Sequence, residues 1–144
     1  MKGSKIDKFH YQDRQLMEAA FRIREKVFIK EQNVPESLEK DDSDPEAVHY
    51  LLWDKGNPIG TARYRETSRG IKLERFAVLP EYRNQGTGTI LLNFVLEDLK
   101  NNPAKIYLNS QNAAVSFYER AGFKTEGEAF KEAGIWHYRM VYSK

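Results

Sequence analysis

The feature of this chain that most constrains its fold is a glycine-rich turn, Arg83-Asn84-Gln85-Gly86-Thr87-Gly88. The run before the turn, residues 71–79, ends in four apolar residues and stops at Pro80, which suits the end of a strand. After Gly88, apolar residues recur at three- and four-residue steps, which predicts the buried face of a helix. These residues are Ile90, Leu91, Phe94, Val95 and Leu99. A turn that enters a helix presents unpaired backbone N–H groups and the positive end of the helix dipole, so the sequence predicts an anion site, typically for phosphate.

Two common phosphate-binding loops do not fit this turn. A Walker loop has Gly-Lys-Ser/Thr at the start of its helix, whereas Gly88 is followed by Thr89 and Ile90. The dinucleotide fingerprint has a third glycine where this chain has Leu91, and an acidic residue roughly twenty positions on, which residues 105–108 do not supply. The remaining pattern is Arg-x-x-Gly-x-Gly. Taken alone, it also fits a plain strand-to-helix turn with one surface arginine.

The turn and its surroundings resemble the GNAT superfamily of N-acetyltransferases, whose acyl-CoA loop reads Gln/Arg-x-x-Gly-x-Gly/Ala. Residues 73–78 are similar to the family's strand that leads into this loop. Residues 112–123 are similar to its second signature, an Asn-led helix with Phe-Tyr and a terminal Gly-Phe. The resemblance covers nearly the whole chain. It implies an acyl-CoA-dependent N-acetyltransferase with a GNAT-like α+β fold, in which a mixed, mostly antiparallel central sheet is flanked by helices.

Length and composition limit the other classes of function. A chain of 144 residues suits one domain, residues 1–144. The formal net charge of +2 gives no electrostatic case for nucleic acid or membrane binding. There is no apolar stretch near the roughly twenty residues that span a bilayer, and the N-terminal residues lack the apolar core of a signal peptide. We therefore expect a cytoplasmic protein.

The absence of cysteine excludes disulfides, cysteine–zinc sites and a cysteinyl acyl-enzyme. The chain also lacks the Gly-x-Ser-x-Gly elbow that would support a serine nucleophile. If acyl transfer occurs, direct attack on the thioester is therefore favoured. The histidines are isolated, and the EF-hand pattern is missing from the acidic stretch, so no metal is expected.

The rest of the chain predicts a mixture of strands and helices, again an α+β domain with a mainly antiparallel sheet. A helix begins at the N-cap Asp13, continues to Phe28 and breaks at residues 31–35, and the helix after the turn stops at residues 101–103. The acidic stretch 36–46 is interpreted as a solvated loop. The predicted strands are residues 5–9, 48–53, 59–66, 71–79, 106–109, 123–130 and 136–142.

The resemblance implies positions for acetyl-CoA, the expected cosubstrate. Backbone groups of Phe76, Ala77 and Val78 are expected beside its pantetheine arm. Arg83 is expected to contact the pyrophosphate, and Asn112 to cap its helix and contact the CoA arm or a bound water. The N–H groups expected under the pyrophosphate are those of Gln85, Gly86, Thr87, Gly88 and Thr89.

The resemblance also implies Tyr118 as the acid that protonates the leaving thiolate, although a purely packed tyrosine fits the same position. Glu74 is the candidate base or amine-orienting group, with a surface carboxylate as its alternative. Backbone N–H groups near Ala77 and Val78 are candidates for the oxyanion site. His137 and Glu31 are further candidates for the border of the acceptor pocket.

We thus expect direct transfer of an acetyl group, within a ternary complex, to a small-molecule or protein amine such as a polyamine, an aminoglycoside or a protein lysine. Asp41 and Asp44 are candidates for attracting a cationic acceptor. Two other readings stay open: a non-catalytic CoA-sensing or partner-binding module, and a protein that prefers ATP or NAD. The resemblance alone suggests a homodimer through the final strands.

Overall fold

Seven strands form one sheet within residues 3–143, the part of the chain that the computed structural model describes. They are β1 (Ser4–His10), β2 (Val48–Asp54), β3 (Asn57–Thr67), β4 (Gly70–Val78), β5 (Ile106–Gln111), β6 (Phe123–Glu132) and β7 (Ile135–Tyr142). Their spatial order is β1-β2-β3-β4-β5-β7-β6, and every neighbouring pair is antiparallel except β4 and β5. The α+β class with a mostly antiparallel sheet is confirmed, and each predicted strand lies within two residues of an observed one at either end.

Four α-helices connect the strands in the described residues: α1 (Arg14–Arg24), α2 (Glu36–Glu39), α3 (Thr87–Asp98) and α4 (Val115–Arg120). Asp13 caps α1 as predicted, because its Oδ1 accepts a hydrogen bond of 3.2 Å from the backbone N–H of Leu16. Beyond α1 the chain continues as a π-helical segment, Glu25–Glu31. This segment ends at its C-cap residue, Gln32, within the predicted break. No helix among residues 3–143 is long and apolar enough to cross a membrane.

The sheet lies between two apolar cores because successive side chains of a strand point to opposite faces. On β2, Leu51 belongs to the core under α1, and Leu52 belongs to the core under α3. The helix residues in these cores include Met17, Ala20 and Ile23 from α1 and Leu91, Leu92 and Val95 from α3. The prediction that Phe94 belongs to the buried face of α3 is wrong. Phe94 is 40% exposed, and its ring packs edge-on against the Tyr50 ring at the border of the apolar stripe.

The two parallel strands of the sheet, β4 and β5, stay together for only three residue pairs. Residues 71–73 pair with residues 106–108, and then the strands separate. On the other side of β4 the pairing with β3 shifts between Thr61 and Arg63, so two residues of β4 oppose one of β3. Arg75 lies in this bulge with a left-handed φ of 52°, which a non-glycine residue adopts only when its surroundings impose it. The second half of β4 therefore has no strand partner on its β5 side.

A cluster of buried ion pairs anchors the acidic stretch to the sheet. Arg24 and Arg63 are each 1% exposed, and both donate to the carboxylate of Asp44, with Nη1–Oδ1 distances of 2.8 and 2.6 Å. Arg24 also binds the buried Glu39 carboxylate. The prediction that residues 36–46 form a solvated loop is therefore wrong for Glu39 and Asp44, because each supplies the charge that a buried arginine requires.

We predict that Asp44→Asn lowers the free energy of unfolding at neutral pH by about 3–5 kcal/mol, because the buried guanidinium groups of Arg24 and Arg63 lose the negative charge that they share. Asp42→Asn is the matched control, since Asp42 is an exposed residue of the same stretch, and it should change stability by less than about 0.5 kcal/mol. Urea unfolding monitored by circular dichroism measures both values. Equal stabilities for the two variants would contradict a structural role for this cluster.

Candidate active site

A cavity of about 510 Å³ opens where β4 and β5 separate. Its walls are residues 72–78 of β4 and residues 108–111 around the end of β5. Tyr118 of α4 and residues between Glu132 and His137, around the start of β7, also line it, as do residues of the π-helical segment and of α2. The cavity is thus bounded by the strand that leads into the glycine-rich turn and by the second segment that resembles a GNAT signature, whereas Arg83 is the one described residue of the turn that lines it. Below it is called the β4–β5 cavity.

The glycine-rich turn enters α3 through two left-handed residues. Asn84 has φ 60°, which asparagine tolerates better than most residues, and Gly86 has φ 79°. Gly86 is the N-cap position, and no side chain of residues 3–143 caps the helix there. A Cβ on Gly88 would lie 3.3 Å from Cζ of Phe117, so glycine lets α3 approach α4. An uncapped helix N-terminus directs its N–H groups outward, which suits the predicted anion site on Gln85 to Thr89.

Arg83 lies between the turn and the end of β4. Its Nε donates to the carbonyl oxygen of Val78 at 2.9 Å, and its two terminal nitrogens bind both carboxylate oxygens of Glu31 at 2.6 and 2.8 Å. Arg83 lines the β4–β5 cavity, whereas Glu31 is not among the described residues that line it. A phosphate contact by Arg83 stays a prediction, and such a contact would compete with Glu31 for the guanidinium.

Phe76, Ala77 and Val78 line the cavity along the unpaired part of β4. An exposed strand edge offers backbone N–H and C=O groups that an extended ligand can bind as an added strand does. Val78 presents its backbone groups to this open edge, whereas Ala77 pairs with Thr61 and directs its N–H toward β3. Their roles stay predictions.

Tyr118 lies in an aromatic cluster and also lines the cavity. Its ring packs edge-on against Phe76, Phe117 and Phe123, with centroid distances of 6.3, 5.0 and 5.8 Å. Burial raises the pKa of the Tyr118 phenol above its ordinary value, so the hydroxyl is protonated at neutral pH. The side chain is therefore packed and holds its proton, and its catalytic role stays a prediction.

Glu74 also lines the cavity, but three cations hold its carboxylate. Arg63 Nη2, Arg65 Nη2 and Lys72 Nζ lie 2.6, 3.0 and 3.0 Å from its oxygens. Burial alone would raise the pKa of Glu74, but these cations outweigh it and lower the pKa to about 2. The alternative of a surface carboxylate is wrong, since the side chain is 6% exposed. A carboxylate with so low a pKa is a weak base, which leaves orientation as the role that fits this environment best.

Two other candidates occupy different environments. Asn112 is exposed and begins a 3₁₀ turn, Asn112–Ala114, so that α4 starts only at Val115. The prediction that Asn112 caps the helix is therefore wrong, and its contact with the CoA arm stays a prediction. His137 is buried and borders the cavity, with its Nδ1 2.7 Å from the carbonyl oxygen of Ile135 and its ring stacked on Phe130.

The acidic residues do not form an open site for a cationic acceptor. Asp44 is 2% exposed and fully engaged with arginines. Asp41 lines the cavity, but Arg63 and Arg75 bind it, and together they outweigh the effect of burial and lower its pKa to about 2. The attraction proposed for these two carboxylates is therefore wrong for Asp44. No group of His, Asp and Glu residues able to hold a metal ion occurs among the described residues.

The sequence reasoning missed several residues that line the cavity, and two of them carry buried acceptors without a partner. The missed residues include Glu39, Arg65, Lys72, Arg75 and Asn109. Lys72 shares a strand face with Glu74, so the period-two pattern was a usable signal. Glu39 Oε2 and Asn109 Oδ1 are buried and lack a hydrogen-bond partner among the described residues. Nothing in the sequence around Glu39 indicates that it is buried.

Known proteins provide an independent comparison with this geometry. Residues 8–144 match the acetyltransferase (GNAT) domain. The chain is 38% identical over 124 residues to the "Uncharacterized N-acetyltransferase YjcF" of Bacillus subtilis (strain 168), with 85% of this chain and 89% of that protein covered.

Two solved structures share the fold. The structure of an acyl-CoA N-acyltransferase from Pseudomonas aeruginosa superposes with a TM-score of 0.87 at 24% identity, covering 97% of this chain and 99% of that one. Escherichia coli ElaA gives the same TM-score and identity, with 96% and 99% coverage. The domain match spans almost the whole sequence, and its two signature segments meet at one cavity. The chain belongs to the GNAT acetyltransferase family.

Proposed function

We propose that this protein transfers an acetyl group from acetyl-CoA directly to a primary amine within a ternary complex. The observation that carries the proposal is the β4–β5 cavity, which joins an open strand edge to a buried tyrosine. The uncapped start of α3 follows β4 along the chain and supplies the anion site. Acyl transfer in general follows from the family, whereas the acetyl donor, the amine acceptor and the ternary mechanism are parts of the proposal. It also includes the cytoplasmic location and the homodimer expected from the sequence.

The residues present suit an acyl-CoA cosubstrate. The edge of β4 at Phe76 to Val78 can bind the amide groups of the pantetheine arm, and the N-terminus of α3 favours the negative pyrophosphate. When bound, acetyl-CoA supplies a thioester whose carbonyl accepts the amine and whose sulfur leaves as a thiol. Tyr118 holds a proton at its phenolic oxygen and donates it to the leaving sulfur. The N–H group of Val78 is the proposed donor to the carbonyl oxygen as negative charge develops there, since Ala77 pairs with Thr61 of β3 and directs its N–H into the sheet.

The acceptor must lose a proton before or during attack, because an alkylammonium with a reference pKa near 10.4 has no free lone pair. Glu74 is poorly suited to take this proton since its own pKa is about 2. We propose instead that Glu74 fixes Arg65 and Lys72 along the cavity and thereby orients the acceptor. The proton then passes to water in the open cavity.

We predict that Gly86→Val abolishes measurable acetyl-CoA binding in isothermal titration calorimetry. A valine side chain would strain the left-handed backbone and crowd the approach of a pyrophosphate to the start of α3. Gly127→Val is the matched control, since Gly127 has φ 82° and, like Gly86, has no atom near its missing Cβ, but it lies on β6 and not at the start of α3. The two variants carry a similar backbone strain, so equal affinities for acetyl-CoA would contradict the assignment of the turn.

We predict that Tyr118→Phe lowers amine-dependent thiol release by about 10²-fold while the affinity for acetyl-CoA is retained, because only the proton donor is lost. Tyr107→Phe is the control, since Tyr107 is a buried tyrosine of β5 whose hydroxyl lies 2.6 Å from Thr67 Oγ1 and is not among the cavity residues. An unchanged rate for Tyr118→Phe would remove this residue from the mechanism. A wild-type protein that binds acetyl-CoA but releases no thiol with any amine would instead be a non-catalytic module.

A further inference from the structure

The Glu39 carboxylate is held in place through one oxygen only. Arg24 Nε binds Oε1, and the side chain as a whole is 1% exposed. The backbone at Glu39 is fixed as well, because its carbonyl oxygen accepts from Arg24 Nη2 at 3.0 Å and from Arg75 Nε at 3.2 Å. The second carboxylate oxygen, Oε2, is buried and lacks a donor among the described residues.

A buried carboxylate oxygen without a donor is costly, because it has lost its water and gained nothing in return. Glu39 lines the β4–β5 cavity, so this cavity is the open space that borders the residue. The other buried side-chain atom of this cavity that lacks a partner, Asn109 Oδ1, is also an acceptor. The described cavity thus calls for a ligand that brings N–H or O–H donors.

The charges around Glu39 favour an amine in its neutral form. Ion pairs connect five cations with four carboxylates here, which leaves a surplus of one positive charge. The cations are Arg24, Arg63, Arg65, Lys72 and Arg75, and the carboxylates are Glu39, Asp41, Asp44 and Glu74. A positive surplus disfavours the ammonium form of a bound amine and lowers its pKa. The neutral form is the nucleophile that acyl transfer requires.

We propose that Glu39 Oε2 accepts a hydrogen bond from the N–H of the acceptor amine and thereby orients the nitrogen lone pair toward the thioester. This inference rests on the proposed acetyltransferase function. According to this inference, Glu39 contacts the acceptor amine, and the binding of acetyl-CoA does not depend on Glu39. The anchored carboxylate oxygen selects a donor-bearing nitrogen, and the surrounding arginines keep that nitrogen unprotonated.

The test uses Glu39→Gln with n-butylamine, spermidine and a lysine-containing peptide as acceptors. The amide retains an oxygen for Arg24 but replaces the free acceptor with an NH₂ donor, which opposes the N–H of the amine. We expect KM for the amine to rise on the order of tenfold to a hundredfold, as for a lost hydrogen bond to a charged group. The calorimetric Kd for acetyl-CoA should not change.

Glu36→Gln is the matched control, because Glu36 is an exposed carboxylate on the same short helix and forms an ion pair with Lys40. If Glu39→Gln does not fold, Glu39→Asp carries the same test, since it keeps the charge but withdraws the free oxygen by one methylene. Equal amine KM values for the wild type and either Glu39 variant would overturn the inference alone, as would a parallel loss of acetyl-CoA affinity. A wild type that acetylates none of the three amines would contradict the proposed function, and this inference would fall with it.

Discussion

The separation of β4 from β5 after three residue pairs is the constraint on which the rest of the site depends. Had the parallel pairing continued, the backbone groups of residues 74–78 on this side would form hydrogen bonds with β5, and no cavity would exist. The bulge at Arg75 bends β4 at the point where the strands part. The chain then leaves β4 at Val78 and reaches the start of α3 at Thr87 through a 3₁₀ turn, Pro80–Tyr82, and the glycine-rich turn. A single departure from regular pairing thus provides an open strand edge followed closely along the chain by an anion site.

The buried ion pairs attach an irregular segment to this bent strand. Arg63 joins Asp44 to Glu74, and Arg24 joins Asp44 to Glu39, so the segment between the first helix and β2 is fixed against the sheet by charge. Such clusters contribute little net stability compared with apolar packing, but they penalise any arrangement in which one partner is missing. The result is a cavity wall with fixed charges, in which one carboxylate oxygen lacks a donor within the described part of the chain.

Much of this fold could be predicted because it depends on local patterns. Apolar periodicity predicted the strands and α3. Asp13 marked the start of α1, because its cap involves only the backbone N–H of Leu16, three residues further along the chain. The glycine pattern located the turn, since Gly86 adopts a backbone conformation that other residues avoid. These signals are contained in short windows of sequence.

The remaining features depend on partners that are distant in sequence. Arg24 has the pattern of a polar helix residue, yet it is buried because it meets carboxylates 15 and 20 residues away. Nothing about an arginine indicates the left-handed bulge at position 75, which the neighbouring strands impose. Asn112 looked like a cap, but the chain enters α4 through a 3₁₀ turn instead. The environment of Glu74 likewise follows from three cations brought together only by the folded sheet.

The central claim is that acetyl-CoA binds along the open edge of β4 with its pyrophosphate at the start of α3. Amide hydrogen exchange, measured by NMR with and without acetyl-CoA, tests it residue by residue. The account predicts that ligand slows exchange at Val78, Gly88 and Thr89, while the amides of β1 at the far edge of the sheet do not change. Binding that slows exchange elsewhere and leaves these three amides unaffected would contradict the account.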